Sequence, residues 1–280
     1  MAFRVLLATS FHEHLSALTG FHLNWRAALS GRMTTLAHLS RTTRRRMLEE
    51  AAEEEMLPSA DGLVVNPVSI PTRFGSALPM LIHNRLAAGR LGLEASHICL
   101  ASPYLYAVAG GLDRAIETAT AGLAGQIYAP HDGWLWNRQS QSDPALAALV
   151  AHLGVEIRIG RADGVFMPMQ LFDDLLALLH RFYPPEALAH PEPLYPLEEV
   201  IFPTVIPALL GGHAGVVPTR ARVWEDGGMD PARIEAIIAA GLHASAKRVP
   251  QERGNPTRHT VLANLPGPAV LQAYFGSTPA

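Results

Sequence analysis

Two adjacent carboxylates, Glu198 and Glu199, open the run Glu198-Glu199-Val200-Ile201-Phe202-Pro203-Thr204. A carboxylate at such a place can take a proton from a hydroxyl as that hydroxyl attacks. Near the C-terminus the bases Lys247, Arg248, Arg253 and Arg258 cluster in sequence. Fixed cations of this kind can stabilise negative charge that develops on a leaving group, arginine through forked hydrogen bonds. A third segment, Ser102-Pro103-Tyr104, follows an apolar run that reads as a buried strand. Each also has a plainer reading. Glu198-Glu199 could be the first turn of a helix, where the macrodipole favours carboxylates. Lys247-Arg248 could be a solvated surface pair, and Ser102-Pro103-Tyr104 an ordinary turn.

Other arrangements that carry chemistry are missing. There is no Gly-x-x-x-x-Gly-Lys loop and no Gly-x-Gly-x-x-Gly opening a helix, which disfavours an ordinary P-loop or dinucleotide site. No Gly-x-Ser-x-Gly elbow appears. His12-Glu13-His14 is the tightest histidine cluster, but no third ligand stands at a diagnostic spacing. Asp173-Asp174 lies inside a helical pattern, where adjacent carboxylates diverge, and no Asp-x-Asp sits at a strand end to hold a cation against a diphosphate. No metal is expected. Cys99 is the single cysteine, in an apolar run, and reads as a small buried hydrophobe in a reducing compartment.

The elements that must position these residues alternate. Strands are expected at Phe3–Ala8, Gly62–Pro67, Ser96–Ala101 and Val155–Ile159. Helices are expected from about Leu36 to Met56, at Leu78–Leu91, Gly111–Gly122 and Leu171–Phe182, and around Leu197–Leu210 and Asp230–Gly241. In the first of these, Arg45–Glu49 and Arg46–Glu50 stand four apart and can pair on a solvated face. Asp230-Pro231 offers a cap followed by a first-turn proline. Strands alternating with helices imply an α/β fold with a mostly parallel sheet flanked by helices, in which ligands sit at the carboxyl ends of strands.

The bulk composition agrees. Of 280 residues, 49% are apolar and 17% charged, enough to bury a core, and no repeat or low-complexity linker divides the chain. One domain over residues 1–280 is expected. The net charge of −3 gives no field that would recruit nucleic acid, and glutamates beside Arg41–Arg46 cancel the local one. The N-terminal apolar run is too short for a signal peptide and reads as a first buried strand. No stretch approaches the roughly 18 apolar residues a membrane span requires, since Pro203 and Pro207 break the best candidate. A cytoplasmic location is expected.

Four segments taken in order carry a resemblance: Asp61–Ser76 leading to His83-Asn84, His97–Tyr106, Tyr195–Thr204, and Ala246–Pro250 followed by Asn255–Arg258. Over roughly residues 60–260 the chain resembles bacterial glycosyltransferase-like proteins distantly related to the core-2/I-branching N-acetylglucosaminyltransferases and peptide xylosyltransferases. The resemblance implies a GT-A-like (Rossmann-like) fold and metal-independent, inverting transfer of a sugar from a nucleotide-sugar donor to a polysaccharide or lipopolysaccharide acceptor. No cofactor beyond the nucleotide-sugar substrate is implied. Glu199 falls on the base of that family's Pro-Asp-Glu-His-x-Trp-x-Thr stretch, with Glu198 its nearest competitor. Phe202 and Thr204 match the later aromatic and threonine. Ser102 and Tyr104 fall in the segment bordering the nucleotide, while Lys247, Arg248 and Arg258 are the implied donor-diphosphate ligands. Trp134 and Trp136 alternate and could stack on an acceptor sugar or pack the core. Leu197, Val200 and Pro203 depart from the family pattern. The alternative from another class is a non-catalytic sugar-nucleotide or glycan-binding protein of the same fold. A third is a structural partner peripheral to a polysaccharide-assembly complex.

Overall fold

The computed structural model describes residues 2–53, 61–72, 77–188, 195–222, 229–241, 244–250 and 255–265. The first part alternates regularly: β1 (Val5–Phe11), α1 (Leu15–Ala28), β2 (Met33–Leu39), α2 (Arg41–Glu53), β3 (Leu63–Val65), α3 (Ala77–Arg90) and β4 (His97–Leu100). The second is less regular: β5 (Tyr106–Ala107), α4 (Leu112–Thr118), β6 (Ala121–Leu123), α5 (Asn137–Gln141), α6 (Pro144–Leu153), β7 (Phe166–Pro168), α7 (Met169–Leu179), α8 (Pro185–Leu188) and α9 (Glu198–Leu209). The last described elements are β8 (Val216–Pro218), β9 (Ala221–Arg222), α10 (Pro231–Ala240), β10 (Ser245–Ala246) and α11 (Pro256–Ala263).

The expected α/β class holds. A seven-stranded sheet runs in the order β3-β2-β1-β4-β7-β6-β8, and a small second sheet runs β5-β10-β9. In the large sheet only β7 opposes its neighbours, β4 and β6; the other pairs are parallel. Strand alternation sorts the core into two faces. Leu6 and Ala8 of β1 join residues of α3, α6, α7 and α9 on one side. Val5, Leu7 and Phe11 join residues of α1, α10 and α11 on the other. Because the chain leaves β1 for β2 and β3 on one side and returns as β4 on the other, the crevice beyond the carboxyl ends of β1 and β4 is a topological switch point.

Several expected elements shift. Residues Leu36–Leu39 belong to β2, every residue of which is buried, and the helix begins only at Arg41. Ser40 Oγ accepts the Thr43 N–H at 3.2 Å and marks that start. The helix expected over Gly111–Gly122 stops at Thr118, and Ala121–Leu123 is strand β6. There a Cβ on Gly122 would lie 2.1 Å from the Phe166 ring of β7, so glycine permits the strand pairing. Val155–Ile159 makes no ladder beyond a bridge from Ile159 to Tyr128, and the Arg158 backbone instead meets Thr204 of α9. Residues 54–56 and 73–76, with Arg253, fall outside the described part. Among the described residues no helix is long and apolar enough to cross a membrane.

Candidate active site at the carboxyl end of the sheet

The two glutamates of α9 meet different surroundings. Glu198 is 4% exposed, and its carboxyl accepts the Leu78 backbone N–H at 3.4 Å and lies near that of Ala77. These N–H groups open α3 and have no partner within that helix. Glu198 is therefore a cap supplied from a distant helix. Burial, with Glu199 adjacent, pushes its carboxyl up to about 8. Glu199 is 15% exposed, and its Oε1 lies 3.3 Å from Arg161 Nη1. The Trp134 indole N–H lies beside the carboxylate. Burial raises the Glu199 carboxyl above its ordinary range; Arg161 opposes this, Asp163 adds to it, and Trp134 slightly opposes it.

Asp163 links this carboxylate to the C-terminal bases. Its Oδ2 lies 2.7 Å from Lys247 Nζ, with the two side chains 12% and 28% exposed. The loop bearing Arg161 and Asp163 leads into β7. The antiparallel pairing of β7 with β4, and a 2.8 Å bond from Gly164 N–H to the Leu100 carbonyl, place that loop at the carboxyl end of β4. Trp134, Arg161, Asp163, Glu199 and Lys247 thus form a charged cluster beside the switch point. Arg161 and Asp163 were not singled out in the sequence. Their loop, Gly160-Arg161-Ala162-Asp163-Gly164, reads as a surface turn, and both partners are remote in the chain.

The remaining candidate residues are distributed more widely. Ser102 directly follows the Ala101 that continues β4, where Ala101 N–H donates to the Ala8 carbonyl at 3.1 Å. Its Oγ is buried without a hydrogen-bond partner among the described residues. The Tyr104 hydroxyl donates to Glu13 after β1, so that this bond bridges the two strands of the switch point. Burial and the Glu13 carboxylate push the Tyr104 hydroxyl up to about 12. Trp134 and Trp136 are both half-buried against the α9 side of the core, with Leu135 between them 76% exposed. Arg248 is exposed, in a left-handed backbone conformation (φ 63°), and its carbonyl accepts the Met229 N–H at 3.4 Å. Arg258 is buried in α11, whose Val261 and Leu262 belong to the α1 side of the core.

The histidine cluster after β1 diverges: His12 meets Ser10 Oγ at 3.2 Å, His14 meets Glu50 at 3.0 Å, and Glu13 takes Tyr104. Among the described residues no group of three or more His, Cys, Asp or Glu is placed to hold a metal ion. Cys99 is buried, and burial pushes its thiol up to about 12.

No protein-family model matches the sequence, and no curated protein does. Among solved structures, the chain is similar to the galactosyltransferase LgtC, solved with donor and acceptor sugar analogues, at TM-score 0.40 and 9% identity over 99% of this chain and 96% of that one. An active-site mutant of LgtC gives the same values. The bifunctional glycosyltransferase WbbM is similar at TM-score 0.41 and 8% identity, over 98% of this chain and 52% of that one.

Proposed function

We propose that this chain transfers a hexosyl or N-acetylhexosaminyl group from a nucleotide-sugar donor to a glycan acceptor, with inversion and without a metal ion. The observation that carries the reading is Glu199: a partly exposed carboxylate of raised pKa, held between Trp134 and Arg161 beside the Asp163–Lys247 pair. Glu199 takes the proton of the attacking acceptor hydroxyl. That oxygen bonds to the anomeric carbon as the bond to the donor phosphate breaks, and the nucleoside diphosphate leaves with the electron pair. Arg161 and Lys247 stand where fixed positive charge can offset the charge on that leaving group. Arg248, next to Lys247 and exposed, can extend the cationic surface. Trp134 stands beside Glu199, and its ring can face the acceptor sugar. In this proposal the enzyme works in the cytoplasm, at the periphery of a glycan-assembly system.

The test is transfer or donor hydrolysis against a panel of UDP-, GDP- and CMP-sugars, with Glu199→Gln and Lys247→Met beside the unaltered chain. Loss of turnover in Glu199→Gln and a raised donor KM in Lys247→Met are expected. Undiminished turnover in Glu199→Gln would remove Glu199 from the base role. One observation favours a second reading: Arg161 already engages the Glu199 carboxylate and Trp134 stands beside it, as in a binding protein that has lost turnover. Calorimetry showing nucleotide binding with no transfer to any acceptor would favour that reading.

A further inference from the structure

We infer that Pro203 and Thr204 position the loop bearing Arg161 against Glu199, Pro203 by leaving the Glu199 carbonyl free to receive the Gly160 N–H. In an α-helix the N–H of each residue bonds to the carbonyl four positions earlier. Residue 203 would serve the Glu199 carbonyl, but proline has no N–H to give. The Gly160 N–H takes that place at 2.9 Å. Beside it, Thr204 Oγ1 accepts the Arg158 N–H at 2.9 Å and donates to the Arg158 carbonyl at 3.0 Å. The extended segment Arg158–Gly160 thus docks on α9 through alternate residues, as a strand docks on a neighbour, with a helix as the partner.

Gly160 makes the approach close enough. A Cβ there would lie 3.0 Å from the Ala124 Cβ and 3.4 Å from the Gln126 carbonyl oxygen. Immediately beyond the docked segment come Arg161, 3.3 Å from Glu199, and Asp163, 2.7 Å from Lys247. Both ends of the Glu199 residue therefore hold the same loop, its carbonyl through Gly160 and its carboxylate through Arg161. Pro203 and Thr204 touch no reacting group and act as positioning residues. Their effect on turnover rests on the proposed role of Glu199, whereas the docking does not.

The test combines amide exchange with kinetics on the full chain. Pro203→Ala supplies a competing N–H within the helix, and Thr204→Val removes both bonds to Arg158. Exchange at Gly160 is expected to accelerate about tenfold in Pro203→Ala, and exchange at Arg158 about tenfold in Thr204→Val. Thermal stability of Pro203→Ala should not fall, because alanine favours helix. Thr204→Ser keeps the hydroxyl and should restore Arg158 protection, even if Thr204→Val folds poorly. In Pro203→Ala, kcat should fall about tenfold and donor KM should rise by less, since the loop sets Arg161 against both the base and the charge that develops on the leaving group, which is greatest in the transition state. Unchanged Gly160 exchange in Pro203→Ala overturns the role of Pro203 in the docking. Accelerated exchange with unchanged kcat overturns the positioning role. If the unaltered chain transfers no sugar to any acceptor, the proposed function fails, and exchange at Gly160 and Arg158 still decides the docking.

Discussion

At the carboxyl ends of β1 and β3, arginines of α2 bind backbone. Arg46 donates to the carbonyls of His12 and Glu13, while Arg44 donates to the Asn66 carbonyl and, at 3.1 Å, to Ser69 Oγ. Carboxylates on this side close helix starts: Glu50 accepts the Leu15 N–H of α1 at 2.8 Å, and Glu198 accepts the Leu78 N–H of α3. Across the switch point, beyond β4, charged side chains instead face one another, Arg161 with Glu199 and Asp163 with Lys247, with Arg161 half exposed. In the parallel half, charge completes the backbone hydrogen bonding of loops and helix ends. In the mixed half, charged side chains pair with one another, and half of the Arg161 side chain stays exposed. The same residue types therefore meet backbone on one side and each other on the other.

Glu199 should break this contrast most sharply. Glu199→Gln is expected to lower transfer by about 10²- to 10⁴-fold, the usual range for one general base, while leaving the melting temperature nearly unchanged. The pH profile sharpens the point. Because the Glu199 carboxyl is raised, the proposed base is lost to protonation as pH falls through a value above the ordinary one for a glutamate. Removing the opposing cation with Arg161→Ala should raise that pKa further and move the acid limb of kcat/KM to higher pH. An acid limb that moves downward, or not at all, would separate Arg161 from the base.

Its neighbour should answer in stability. The Glu198 carboxyl rises from an ordinary value of 4.5 to about 8 in the folded chain. The folded state therefore keeps a proton that the unfolded state releases, and stability falls as pH rises between those values, levelling off above about 8. Glu198→Gln keeps an acceptor for α3 and removes the ionisable group. It should flatten that slope, matching the unaltered chain near pH 4 and exceeding it at pH 8. Glu198→Leu leaves the N–H groups that open α3 without that acceptor and should be about 1–3 kcal/mol less stable than Glu198→Gln at any pH. Denaturant titrations at several pH values measure both.

This contrast was only half legible in the sequence. Helices with local signals were recognised close to their observed limits: Asp230 does cap α10, accepting the Arg233 N–H at 2.8 Å, and α3, α7 and α9 follow their apolar patterns. The expected helix takes in Leu36–Leu39 of β2, because Thr34, Thr35 and His38 interrupt the strand's apolar character although all three are buried. The expected pairs Arg45–Glu49 and Arg46–Glu50 form, at 4.0 and 3.5 Å. What pattern could not convey was the reach of Arg46 to the loop after β1. Nor could spacing distinguish Glu198 from Glu199, since the difference lies in α3 and in a loop 38 positions upstream of Glu199. Pro203 was visible as a departure from a motif, but its consequence depends on Gly160.

An effect of similar size is expected at Asp143, at the start of α6. Asp143 caps α6 by accepting the Ala145 and Leu146 N–H groups at 2.9 and 3.2 Å, and its second oxygen accepts the hydroxyls of Tyr183 and Tyr195 at 3.0 and 2.7 Å. Burial raises both tyrosine hydroxyls, so neither ionises near neutral pH. Tyr195 opens the segment that leads into Glu198 and Glu199. Asp143→Ala removes the cap and leaves two buried hydroxyls without their acceptor, a loss of about 2–3 kcal/mol by denaturant unfolding. Asp143→Asn should recover most of it, because the amide oxygen still caps the helix.

The smallest effect tests whether charge in the parallel half acts through backbone contacts rather than through ion pairs. Arg45 and Glu49 are 78% and 66% exposed and 4.0 Å apart, so water screens the pair and the side chains keep their freedom. Arg45→Ala should change stability by no more than about 0.5 kcal/mol, and added salt should erase even that. Arg46 is next in sequence and makes the same type of helical pair with Glu50, yet it also donates to the His12 and Glu13 carbonyls. Arg46→Ala should therefore cost about 1–2 kcal/mol and resist salt, since most of its contribution is hydrogen bonding to loop backbone. Equal losses for the two arginines would mean that the loop after β1 is held by its own packing, and that the structural use of charge on this side rests on Arg44 and the two glutamate caps.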